Sequence, residues 1–156
     1  MATRVFSQQP DLVAALPQLL AHARRFFAAE IDVVSASAPD RPLLAEAEVR
    51  LRLESARYPG QGTFCIQSRP PTDADRAAAE VAEVRGRAGG MAQLAARCRS
   101  LWVITAEGEI SGTALLQLSA LLASVALGPV LPEDESTLYG VRGAMERAEK
   151  PADSAR

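Results

Sequence analysis

Two acidic runs and a block of arginines are the residues here whose types permit chemistry, and none has the spacing of a reaction centre. Glu107 and Glu109, then Glu133, Asp134 and Glu135, fall in two polar segments expected as loops at one end of the domain. Clustered carboxylates can act as an acid–base pair or hold a hard cation, but the regular Asp/Asn/Gly spacing of a calcium loop is missing. Charged turns are the simpler reading. Arg69, Arg76, Arg85, Arg87, Arg97 and Arg99 concentrate positive charge, yet they alternate with Asp73, Asp75, Glu80 and Glu83. No aromatic residue interleaves with them to stack bases, so a solvated, salt-bridged face is expected.

His22, the one histidine, can be paired on paper with Cys65 or Cys98 as a nucleophilic couple. Such a couple needs hydrogen-bond contact and an electropositive, partly exposed thiol. Both cysteines sit in apolar patterns, which predicts buried free thiols, and His22 beside Arg24 and Arg25 is expected on the wet side of a helix. One histidine and two cysteines are too few soft ligands for a typical zinc site. The Gly86–Gly90 stretch (GRAGG) lacks the following Lys-Ser/Thr and the strand-to-helix position of a phosphate loop. The residues therefore define no catalytic, cofactor or metal site.

The element that must carry most of these groups is Thr72–Cys98. Ala74, Ala77, Val81, Val84, Ala88, Met91, Ala95 and Cys98 recur at alternating spacings of three and four, which places them on one helical face. Thr72 with Asp75 makes a capping box, and Glu83–Arg87 is a favourably ordered pair. Gly86, Gly89 and Gly90 cost roughly 1 kcal/mol each inside a helix. Because the apolar register passes them without a phase jump, a continuous helix is expected, with a break at Gly89-Gly90 as the alternative. Leu101–Thr105 follows as a buried strand, with Trp102 in the core.

Before this helix, Asp11–Glu30 reads as a helix that is kinked at Pro17 or begins there. Its apolar face is Leu12, Leu16, Leu19, Leu20, Ala23 and Phe27. Ile31–Ser35 is a short strand and 36–42 a loop. In Glu46–Glu54, Val49, Leu51 and Leu53 alternate with Glu48, Arg50, Arg52 and Glu54, a strand with one dry and one wet side. Thr63–Gln67 returns beside it as a hairpin. After a turn at Ala106–Gly112, Thr113–Leu127 is a buried helix ended by Gly128-Pro129. Its narrow stripe, Thr113, Gln117, Ala120 and Ser124, suits a helix contact within the domain or between two copies. Val130-Leu131 with Thr137–Tyr139 forms a small hairpin, and Val141–Glu149 a last helix.

These elements predict an α+β domain: a two-layer sandwich of a mainly antiparallel sheet, with the long helix and the buried helix on one face. Residues 1–10 are expected as a loose lead-in, 11–149 as a single domain and 150–156 as a frayed tail. The 156-residue chain is 48% hydrophobic and 23% charged, a globular balance, with 4% aromatic residues, so the core draws on Ala, Leu and Val. A net charge of −2 lowers the rank of nucleic-acid binding. No stretch reads as membrane-spanning, and the apolar run Leu12–Leu20 lacks the basic lead of a signal peptide, which points to the cytoplasm.

The function expected from this pattern is non-catalytic: a protein-binding module of the immunity-protein or adaptor kind. Its contacts are expected at Arg50 and Arg52 or at Glu107, Glu109, Glu133, Asp134 and Glu135, with a homodimer through the Thr113–Ser124 stripe as a further possibility. The alternative is a small enzyme or small-molecule sensor, with its pocket between the sheet and the 72–98 helix near Gly86–Gly90.

Overall fold

The computed structural model describes residues 2–37 and 47–149. Most of the expected 36–42 loop and the expected 150–156 tail lie outside them. The elements run β1 (Thr3–Ser7), α1 (Leu16–Phe27), β2 (Ala29–Ser37), β3 (Ala47–Ser55), β4 (Gly60–Arg69), α2 (Asp73–Gly86), α3 (Met91–Arg97), β5 (Ser100–Gly112), α4 (Ala114–Ala126), β6 (Val130–Leu131) and α5 (Val141–Glu149). Six strands form one antiparallel sheet in the order β2-β3-β4-β5-β1-β6. The chain is an α+β sandwich.

Strand parity divides the helices between the two sheet faces. Val5, Val49, Leu51, Leu53, Phe64, Ile66, Trp102 and Ile104 point to the side packed by α1, α4 and α5. Their neighbours Phe6 and Leu101 point the other way, against Ala79 and Ala82 of α2 and Ala95 and Cys98 at α3. The long-helix segment and the buried helix therefore cover opposite faces, where one shared face was expected. At the β1–β6 end and the start of β5 the sheet is sandwiched; across β2–β4 and the far half of β5 no helix among the described residues covers the second face.

The first ten residues are no loose lead-in. β1 lies between β5 and β6, pairing Val5 with Trp102 and with Val130, and Val5 and Phe6 are fully buried. α1 starts beside Pro17, as the second of the two readings of that proline requires, after a turn in which the Asp11 carboxylate accepts the Ala14 N–H. Leu12, Leu19, Ala23 and Phe27 of its expected face are buried. Glu107 and Glu109, expected in a turn, belong to β5, which continues to Gly112 because β4 pairs with it along its length.

The 72–98 helix is broken and rotated relative to the sequence expectation. α2 buries Asp75, Ala79 and Ala82, whereas Val81 is 48% and Val84 78% exposed. Two facts fix this rotation: Asp75 meets two guanidiniums beneath the helix, and alanines at its fourth and seventh following positions allow close approach to Phe6 and Leu131. The break follows Gly86. Arg87 takes the left-handed conformation (φ 52°) and returns its N–H to the end of α2, and Gly90 (φ 90°) precedes α3. Glu83, expected to pair with Arg87, instead accepts the Ala92 N–H at 2.8 Å and ties the two helices together.

A side chain at Gly86 would overlap Thr137, but a Cβ at Gly89 meets nothing within 4 Å. Gly89→Ala should therefore change the unfolding free energy by less than about 0.5 kcal/mol, as at most surface sites. Urea denaturation checks this, and a loss of several kcal/mol would show that the segment packs differently.

Candidate functional site

The most elaborate polar cluster centres on Asp75, on the α2 side of the sheet. Its carboxylate accepts from Arg69 (2.7 and 3.2 Å), from Arg4 (2.9 Å) and from the Thr72 N–H (2.8 Å) and hydroxyl (2.9 Å). Thr72 in turn accepts the Asp75 N–H, completing the expected capping box. Arg4 also contacts Glu135. Burial acts to raise the Asp75 pKa, but the hydrogen bonds from Arg69, the Thr72 backbone and Arg4 outweigh it and hold the carboxyl well below the usual range. A carboxylate so fully committed has no lone pair to offer a substrate. The cluster clasps β1, β4 and α2 together.

His22 does not face open water. Its Nδ1 lies 2.8 Å from Ser124 Oγ on α4, and its ring meets Phe26 edge-on at 5.2 Å. Ser124 Oγ donates its proton to the Leu121 carbonyl (2.6 Å), so His22 Nδ1 must be the donor to Ser124. That direction is the reverse of what a serine nucleophile needs. Burial, then the nearby Arg25 charge, lowers the His22 pKa, which keeps the ring neutral at pH 7.

Cys65 and Cys98 are free and buried. Burial, followed by the charge of Glu48, pushes the Cys65 thiol up, and burial raises Cys98 to about 11. Both therefore stay protonated at neutral pH, unlike a reactive thiolate. The small-residue stripe on α4 is used inside the protomer: Thr113, Gln117 and Ala120 are buried. Gln117 Nε2 donates to the Tyr58 carbonyl (2.6 Å) and to Thr113 Oγ1 (2.7 Å), and Ser124 meets His22. Three of the stripe's four residues thus pack inside the protomer, and Ser124 is half-buried against His22.

The expected contact residues separate into three places. Arg50 projects from the open side of β3, where it meets Glu107 across β4 (3.2 Å) and Glu48 beside it (3.5 Å). Arg52 lies on the same side, near Gln61. Glu109 is exposed further along β5. Glu135 belongs to the Arg4 cluster. Glu133 and Asp134 stand elsewhere, at the mouth of a pocket between α4, α5 and β6 on the opposite side of the sheet. The two acidic runs thus do not converge. Among the described residues no three His, Cys, Asp or Glu side chains are placed to share a metal ion.

Sequence reading missed this pocket, which holds about 390 Å³ and is lined mainly by Leu115, Leu116, Val130, Pro132 and Ala144. Its only local signal was the pairing of β6 with the segment at Tyr139, which brings α5 back beside α4. The space between the sheet and α2–α3, where a pocket was expected, is filled by Phe6, Ala79, Ala82, Ala95, Cys98, Leu101, Leu131 and Leu138.

Site and fold together define an α+β sandwich with a half-open sheet face and a lateral pocket. Compared with known proteins, the chain matches no family model, no curated protein and no solved structure. No helix among the described residues is long and apolar enough to cross a membrane.

Proposed function

We propose that the chain is a non-catalytic protein-interaction domain, of the immunity-protein or adaptor kind, that docks a partner on the open face of β2–β5 in the cytoplasm. The observation that carries this is the ion-paired row Glu48–Arg50–Glu107, which spans three strands on a face that no helix among the described residues covers. Antiparallel sheets tolerate a solvated face, but this one holds its charges in fixed register. Carboxylates dominate it: Asp32, Glu48, Glu54 and Glu107 surround Arg50 and Arg52. Such a face suits a partner protein with a basic surface and repels the phosphates of a nucleic acid. The groups that chemistry would require, meanwhile, are committed to structural hydrogen bonds (Asp75, Ser124) or held protonated (Cys65, Cys98).

The test is quantitative capture from lysate, comparing the unmodified chain with Asp32→Lys/Glu54→Lys and with Arg50→Ala/Arg52→Ala. All four side chains are exposed, so folding should survive, and circular dichroism checks that it does. The charge-reversed variant should retain its partner at least about tenfold less well, and the arginine variant, whose face is more acidic, at least as well as the unmodified chain. Equal retention by all three chains would overturn the docking site.

A further inference from the structure

The pocket between α4, α5 and β6 has the size of a small-molecule site. Burial orders its polar residues from floor to rim. Thr3 (6% exposed) and Ser119 (5%) are at the floor, and Glu133 and Asp134 are exposed at the rim. Ser119 Oγ donates to the Leu115 carbonyl at 2.7 Å, so only its lone pairs face the cavity. Thr3 is 6% exposed as a residue; its hydroxyl makes no hydrogen bond among the described residues and opens into the pocket it lines. A hydroxyl held open to an otherwise apolar cavity is a natural anchor for a ligand's polar group. At the rim, Arg147 stacks over the Tyr139 ring at 4.8 Å and its charge acts on Asp134, whose carboxylate also accepts the Ser136 N–H. Glu133, Asp134 and Arg147 form no ion pair among the described residues, so the rim carries two carboxylates and one guanidinium, and Glu133 makes no hydrogen bond either.

We propose that this pocket binds a small amphiphilic amine, with its ammonium on Glu133, its apolar body against Leu115, Leu116, Val130 and Ala144, and a hydrogen-bonding end on Thr3. The site faces away from the open sheet surface and works independently of protein docking there. An anionic amphiphile is disfavoured because the rim carries two carboxylates against one guanidinium. The floor hydroxyls select ligands whose far end carries a hydrogen-bonding group.

Calorimetric titration of the full chain with octylamine, octanoate and aminooctanol tests the assignment. Both amines should bind, octanoate at least roughly tenfold more weakly, and aminooctanol more tightly than octylamine. Glu133→Gln should weaken both amines about tenfold with an unchanged melting temperature. Thr3→Val should erase the advantage of aminooctanol over octylamine; if that variant does not fold, Glu133→Gln alone decides. Octanoate binding as tightly as the amines, an unchanged affinity in Glu133→Gln, or no amine binding up to millimolar concentration would each overturn the site.

Discussion

Asp75→Asn should lower the unfolding free energy by about 3–5 kcal/mol, the usual consequence of removing one partner from a buried ion pair. Asp75 is 3% exposed and receives hydrogen bonds from Arg4 and Arg69, and both guanidiniums would be left facing an uncharged amide. The amide can still accept at one oxygen, but it cannot satisfy two forks and the Thr72 N–H together. With total stabilities of roughly 5–15 kcal/mol for domains of this kind, the loss approaches the threshold of folding.

The pH dependence has a definite sign. The folded carboxyl pKa lies below the unfolded value of about 3.9, so the folded state favours the ionised form. Its contribution is complete above the unfolded pKa and is lost as pH falls from there towards the folded pKa. Urea denaturation should show the unmodified chain far more stable than Asp75→Asn at neutral pH. The two should converge as the buffer is taken into acid below the unfolded pKa. A deficit that stayed constant down through that range would mean that Asp75 acts by packing alone.

Gly128→Ala should cost about 3 kcal/mol, at the upper end for overpacking, because the new methyl has nowhere to go. Its Cβ would lie 1.9 Å from the Phe6 carbonyl oxygen and 2.8 Å from the carbonyl carbon, both backbone atoms of a strand inside the sheet. β1 cannot yield, because the Phe6 N–H donates to the Pro129 carbonyl (3.0 Å) and the Gln8 N–H to the Ala126 carbonyl (2.9 Å). Moving the strand to make room breaks one of these bonds or the pairing of Phe6 with Leu101. Gly89→Ala is the matched control with open space around it. Equal melting temperatures for the two variants would contradict the packing at α4's end.

Local pattern made about half of this fold legible. The alternation of Val49, Leu51 and Leu53 with charged residues gave β3 and its open side, because a period of two survives any tertiary context that keeps one face wet. α4, the β6–Tyr139 pairing and α5 were likewise readable from apolar runs and their stops. β1 was not, since five residues carry little periodic signal and its neighbour β5 begins more than ninety positions later. The rotation of α2 was hidden for a different reason. Its apolar stripe pointed one way, but the buried Asp75, paired with nearby Arg69 and distant Arg4, pulled the helix round and left Val81 and Val84 in water. A count of apolar residues cannot anticipate a buried charge.

The same asymmetry applies to the sites. Arg50 and Arg52 were readable as residues of a wet strand face, but the contact between Arg50 and Glu107 depends on β5 extending past its apolar stretch. Glu133, Asp134 and Glu135 are consecutive in sequence, yet the turn sends the first two to the pocket and the third to Arg4 on the other side of the sheet. His22 looked solvated because the sequence carries no sign of Ser124 as its partner, 102 positions away.

Carboxyl footprinting of the captured complex is the most direct measurement of the central claim. The chain is labelled with a carbodiimide and an amine tag, free and bound to its retained partner, and each acidic residue is read by mass spectrometry. Docking on the open sheet face predicts protection at Asp32, Glu48 and Glu54, with Glu133 labelled equally in both states. Protection confined to Glu133 and Asp134, with the sheet carboxylates labelled as before, would contradict it.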